Sequence, residues 1–211
     1  LKLRDAKILE YKERVLEACD DSFALVGGLG VFDEVGAQDQ VDCGLVNVAG
    51  AAVSGQQAEA DLTWQPLPNP QGAFPVGGAR FIAENYPEAI TRAANIRSKV
   101  PVTEVQAMRQ TAAYEQVGYD FVYVESSNIN ESNWDPMIIA MRNADVGYFT
   151  LTSTYEELIL MMAAQQRQGW SPEVTELETN FYNAGFPEAL DEQGLEAEDV
   201  YVRLTTWPFE E

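Results

Sequence analysis

The 211-residue chain is 46% hydrophobic and 10% aromatic, enough apolar material for one large core or two modest ones. Thirteen Lys and Arg against 34 Asp and Glu give a net charge of −21, which argues against nucleic acid as a partner and reads as a solvated, aggregation-resistant surface or, more sharply, as adaptation to a saline habitat. There is no histidine, so the commonest general base, the usual metal ligand and any Ser-His or Cys-His pair are missing, and two cysteines form neither a zinc site nor a Cys-x-x-Cys redox pair.

No apolar run reaches the roughly 18 residues a membrane span needs, the longest being Leu158–Ala164. The first residues, Leu1 to Asp5, already read as helix, so any signal peptide is expected to have been removed or not included. From Leu3 to Cys19 the apolar residues Ile8, Tyr11, Val15 and Cys19 recur at helical spacing. The short apolar run Ser22–Val26, ending at Gly27-Gly28, then predicts a strand covered on both faces. A short helix near Val31–Val41, a strand near Leu45–Val48 and a helix near Val76–Tyr86 follow. Between them Ala49–Pro75 is long and turn-rich, which suits a crossover between two lobes.

After the apolar run Ala89–Ile96, a helix is predicted over Thr103–Val117 with Val105, Met108, Ala112 and Gln116 as its inward stripe, then a strand over Tyr119–Val124. Asp135-Pro136 reads as a helix start with the carboxylate as cap, and Met137, Ile138 and Met141 as the inward face. Gly147–Leu151 is the next strand, Thr152-Ser153-Thr154 opens a helix over Tyr155–Gln168, and Gly169 ends it. Two short runs, Asn180–Ala184 and Val200–Thr205, complete a β-α alternation that predicts parallel sheets with ligand sites at the ends of strands.

Several segments could carry chemistry. Val26-Gly27-Gly28-Leu29-Gly30-Val31 could present free amides to an anion at a helix start, or could simply be a tight turn; the dinucleotide fingerprint and the P-loop both fail for want of their later residues. The hydroxyls of Ser153 and Thr154 could cap their helix or grip a polar ligand, and Tyr182–Phe186 and Thr205-Thr206-Trp207 offer further polar and aromatic groups. Met161 and Met162 read as core, and Glu156-Glu157 and Asp33-Glu34 as solvated helix starts. Asn130-Glu131-Ser132 formally matches a glycosylation sequon. No cofactor motif is present, and the composition gives little support to an enzyme.

Taken in order, Phe23–Gly28, Pro66–Pro70, Gly118–Tyr123, Thr152–Glu157 and Val200–Pro208 resemble the branched-chain amino acid and amide group of type I periplasmic binding proteins. The resemblance implies an α/β receptor of two Rossmann-like lobes with mainly parallel sheets flanked by helices, its first lobe incomplete, so that the chain is an internal portion of a longer protein. Residues 1–70 would be part of the first lobe, 71–205 the second, and 206–211 the crossover back. It further implies an extracellular or periplasmic solute receptor whose lobes close on an amino acid or amide-like ligand and deliver it to an ABC permease; a sensory domain of the same fold, or less readily an enzyme on such a scaffold, is the alternative. Carried over by position, the ligand would meet Gly30, Val31, Gly50, Ala51 and Ala52 from one lobe and Val102, Thr103, Ser153, Thr154 and Tyr155 from the other, with the stretch Asn183–Phe186 completing the wall. Amino-acid binders of the group place an acidic residue in that last stretch, and none stands there.

Cys19 and Cys43 each lie just before a predicted strand, and successive parallel strands lie about 5 Å apart, so a disulfide between them is expected, against two unbridged thiols.

Overall fold

A computed structural model describes residues 2–66, 69–205 and 207–208, with side chains from residue 7 onward. The chain divides into two compact units, Leu1–Phe74 and Pro75–Glu211. The stretch 206–211, expected as a crossover, falls largely outside the described residues.

In the first unit, helix α1 (Lys2–Asp21) leads into strand β1 (Ala24–Val26). The helix expected near Val31–Val41 breaks at Gly36 into a 3-10 turn (Asp33–Val35) and a short helix α2 (Ala37–Asp42). Strand β2 (Val46–Val48), helix α3 (Gly55–Ala58) and strand β3 (Thr63–Trp64) follow, and β1-β2-β3 form a parallel sheet. The Cys19–Cys43 disulfide is present, with Cα atoms 5.9 Å apart, and ties the last turn of α1 to the residue capping α2.

The second unit contains helix α4 (Gly77–Asn85), a 3-10 turn (Ala89–Arg92), β4 (Ala93–Ser98), α5 (Pro101–Glu115), β5 (Phe121–Ser127), α6 (Asp135–Asn143), β6 (Tyr148–Thr152), α7 (Tyr155–Gln168), β7 (Val174–Leu177), α8 (Gly185–Gln193) and β8 (Val200–Val202). Its five strands run parallel in the order β5-β4-β6-β7-β8. Because side chains alternate across a strand, the sheet has two unlike faces. Ala94, Ile96, Phe149, Leu151 and Leu177 join Ile138 and Met141 of α6, Leu158 and Met161 of α7 and Leu190 of α8 in one apolar core. On the other face Asn95, Tyr148, Thr150 and Glu176, all buried, lie beneath α5.

That polar face explains why α5 turns the opposite way from the expected stripe. Its buried residues are Val102, Ala107, Gln110 and Tyr114, whereas Val105 and Met108 are 49% and 66% exposed and Ala112 and Gln116 are exposed as well. Gln110 donates to Thr150 (3.4 Å) and the Tyr114 hydroxyl to Glu176 (2.8 Å), so hydrogen bonding to the sheet outweighs the burial of Val105 and Met108. Strand β7 gave no apolar run because its third residue is Glu176, yet all four of its residues are buried. Tyr114 and Tyr148 each donate to Glu176 at 2.8 Å, and the Arg203 guanidinium lies 3.9 Å from it. Those partners offset a desolvation cost of several kcal/mol for a buried carboxylate.

Two smaller expectations are corrected. Asp135 stands inside the first turn of α6 without a capping hydrogen bond and pairs with Arg167 at 3.0 Å. The run Asn180–Ala184 forms no strand: a 3-10 turn covers Thr179–Phe181, and α8 starts at Gly185. By contrast α7 runs from Tyr155 to Gln168, as expected, between a capping Thr154 and a left-handed Gly169.

Candidate binding site at the strand ends

In the first unit, the loops leaving β1 and β2 hydrogen-bond to each other. Gly50 N donates to Gly28 O at 2.8 Å and Ala51 N to the same oxygen at 3.4 Å. A Cβ on Gly50 would stand 3.1 Å from Gly27 O, so glycine permits this close approach. The Ala52 amide donates to Gln65 Oε1 (3.0 Å), and those of Val53 and Ser54 donate to the two oxygens of Asp33 (2.7 and 2.9 Å). Asp33 is therefore a buried clamp on the next loop, in contrast to the solvated helix start expected for it. The turn after Gly30 is a three-residue 3-10 turn, too short for an appreciable dipole. A Cβ on Gly30 would lie 2.5 Å from the Tyr11 ring, and Val31 is exposed.

Between α1 and these loops lies a cavity of about 210 Å³, lined on its apolar side by Val15, Leu25 and Val26. Gly30 and Ala51 also line it, as does Asn47, whose buried Oδ1 has no hydrogen-bond partner. Burial and then the neighbouring Asp33 and Glu34 hold the Tyr11 phenol, also in the wall, above its ordinary pKa.

In the second unit, the ends of β4, β5 and β6 converge on Glu157, which is 5% exposed. Its carboxylate accepts from the amides of Asn130 (2.6 Å) and Glu131 (3.2 Å), from Ser98 Oγ (3.2 Å) and from Ser153 Oγ. Ser98 and Ser153 also share a 2.6 Å hydrogen bond. The Ser153 hydroxyl is thus engaged internally, while Thr154 Oγ1 accepts from the Glu157 amide as the helix cap. Thr103 donates to the carbonyls of Ser98 and Val100, and Val102 is buried. Tyr155 is half-buried against the core, and Glu156 raises its phenol pKa. Asn183 Oδ1 accepts from the Phe186 amide at 3.1 Å at the start of α8, and Phe186 lies in the core, edge-on to Phe181.

Sequence reasoning missed four charged residues here. Besides Glu157 they are Arg97 in β4, paired in register with Thr152, and Glu178 and Arg203, each the residue just after its strand and two positions beyond Glu176 and Tyr201 of the polar face. Gln106 Nε2 donates to both Glu178 oxygens (2.9 and 2.8 Å), and Arg203 lies 3.6 Å from Glu178; burial pushes the Glu178 carboxyl up, against the pull of Arg203. Arg97 Nε and Thr152 Oγ1, on register-paired residues, are buried without a hydrogen-bond partner. The alternation of Glu176, Leu177 and Glu178 was the available signal, since acids on alternate residues of a strand share a face. Among the described residues no group of three or more His, Cys, Asp or Glu could hold a metal ion, and no helix is long and apolar enough to cross a membrane.

No protein-family model and no curated protein matches the sequence. Solved structures do match. The branched-chain amino acid substrate-binding protein LivJ of Streptococcus pneumoniae, in complex with isoleucine, superposes with a TM-score of 0.72 at 11% identity, over 94% of this chain and 57% of that one. An extracellular ligand-binding receptor from Rhodopseudomonas palustris gives 0.70 at 11% identity (89% and 52%), and a putative branched-chain amino acid ABC transporter from Silicibacter pomeroyi 0.69 at 15% (92% and 52%). The chain spans about half the length of these structures. With its parallel sheets flanked by helices and these neighbours, it has the α/β fold of the type I periplasmic binding proteins.

Proposed function

We propose that the chain is the ligand-binding part of an extracellular solute receptor that serves an ABC importer and catalyses no reaction. Its ligand is a small polar molecule of the amino-acid or amide kind. The boundary between lobes lies near residue 70. The ligand meets the backbone of Gly30, Val31, Gly50, Ala51 and Ala52 in one lobe and the segments holding Val102, Thr103, Ser153–Tyr155, Asn183 and Phe186 in the other. Because the hydroxyls of Thr103, Ser153 and Thr154 have internal partners, these segments act chiefly through shape and backbone, and Arg97 Nε and Thr152 Oγ1 are buried donors left without an acceptor beside them.

The observation that carries this reading is the likeness to substrate-binding proteins combined with those two orphaned donors at the strand ends, where ligands bind in open α/β sheets. The disulfide supports an oxidising compartment. Thermal-shift screening of a metabolite library tests it: a saturable shift without turnover supports binding, and turnover of a small substrate refutes the reading. Permease and ATPase genes beside its own would favour an importer over a sensor.

A further inference from the structure

A second cleft, of about 180 Å³, opens where β7 and β8 begin, at the other end of the strands from the Glu157 cluster, between α7 and the loop joining α8 to β8. Its inner wall is Leu158, Met161 and Met162, all buried. Gln165, one turn further along α7, completes the wall; it is 7% exposed, and its Nε2 has no hydrogen-bond partner. Glu196 and Glu198 stand at the rim, exposed and in no ion pair with a described residue.

The rim is built, not loose. Gln166 Nε2 donates to Gly194 O (3.3 Å), Leu195 N to Leu190 O (3.0 Å) and Thr175 N to Asp199 O (3.0 Å), while the Asp199 carboxylate accepts from the Tyr86 hydroxyl (2.6 Å). Leu195, beside Glu196, is anchored in the core. The backbone that carries Glu196 and Glu198 is therefore fixed, and these two exposed acids line a cleft that also has an apolar wall and a buried donor lacking an acceptor.

Each part selects a different part of a ligand. Two carboxylates at one rim, in no ion pair with a described residue, favour a cation. The leucine and methionine floor takes methylene groups, and methionine adapts to their shape. A buried amide donor without a partner is costly and favours an oxygen placed against it. We propose that this cleft binds a short aliphatic amine that also carries a hydroxyl or carbonyl oxygen, its ammonium at Glu196 and Glu198, its methylenes over Met161 and Met162 and its oxygen at Gln165. This site is independent of the proposed receptor ligand.

The test is a titration of the 211-residue protein, carbon-13 labelled at its five methionine methyls, with 4-aminobutan-1-ol. Saturable shifts at Met161 and Met162 but not at exposed Met108 are expected, with affinity at least about tenfold above that of butan-1-ol or 4-hydroxybutyrate and above that of n-butylamine. Glu196→Gln with Glu198→Gln should weaken binding of the amino alcohol about tenfold or more, and Gln165→Leu should reduce it to the level of n-butylamine. Absence of saturable shifts, equal binding of butan-1-ol, or unchanged affinity in the double glutamine variant would each overturn the proposal. The comparison of n-butylamine with the amino alcohol on the wild-type protein tests the role of Gln165 even if its variant fails to fold.

Discussion

The Ser153 hydroxyl donates to the Glu157 carboxylate across the first turn of α7, and the same carboxylate holds the amides of Asn130 and Glu131 in the loop after β5. One acid thus gathers the ends of three strands. Glu157→Ala leaves buried donors unpaired and should cost about 3 kcal/mol of stability, whereas Ser153→Ala with Thr154→Ala should cost about 1 to 2. Urea denaturation of the three proteins checks this order; an undisturbed midpoint in Glu157→Ala would show that the cradle contributes nothing.

Tyr148 and Glu176 should be strongly coupled. Tyr148→Phe removes one of two hydroxyl donors from a carboxylate that is 2% exposed, and is expected to destabilise by about 1 to 3 kcal/mol. In a Glu176→Gln background the same change should cost clearly less, because no charge is then stranded. A double-mutant cycle from chemical denaturation reads the coupling, and strict additivity would contradict it.

Alkaline pH should unfold the second unit through its tyrosines. Burial first, and then Glu176, raises the pKa of Tyr114, Tyr119 and Tyr148 above the ordinary value of about 10. A group whose folded pKa is raised binds its proton more tightly in the native state. The associated stability is therefore complete below about pH 10 and falls as pH rises beyond it. Tyrosinate absorbance should show these three buried tyrosines ionising only with loss of secondary structure; ionisation of all nine with secondary structure retained would refute the assignment.

Reducing the Cys19–Cys43 bridge should lower the stability of the first unit by about 3 kcal/mol, since it frees a loop with a sequence separation of 24 in the unfolded chain. Cys19→Ser with Cys43→Ser should behave like the reduced protein. Non-reducing mass spectrometry of protein from its native compartment should find no free thiol, and two free thiols would remove both the bridge and the compartment argument.

The sequence made the parallel α/β plan legible because most of its strands are short apolar runs that alternate with helices, as in Tyr148–Thr152 followed by the Thr154 cap and α7. Polar burial hid the rest. Glu176 disguised β7, Gln110 and Tyr114 reversed the apparent face of α5, and Glu157 and Asp33 read as surface acids although each is enclosed by donors contributed from loops distant in the chain. Periodicity reports apolar contacts; it does not report a carboxylate whose partners lie 20 or more residues away. The disulfide could be anticipated because the entrances of neighbouring parallel strands are close by construction.

The strand order β5-β4-β6-β7-β8 also constrains how the second unit assembles. Ala93 in β4 pairs with Phe121 on one side and Tyr148 on the other, so its partners arrive only after one and then two further helices have been made. No adjacent pair can close as a hairpin, and each ladder requires a long loop to order first. Refolding of this unit therefore depends on non-local pairing throughout, and β4, which pairs on both sides, is the strand that joins the β5 ladder to the β6-β7-β8 ladders.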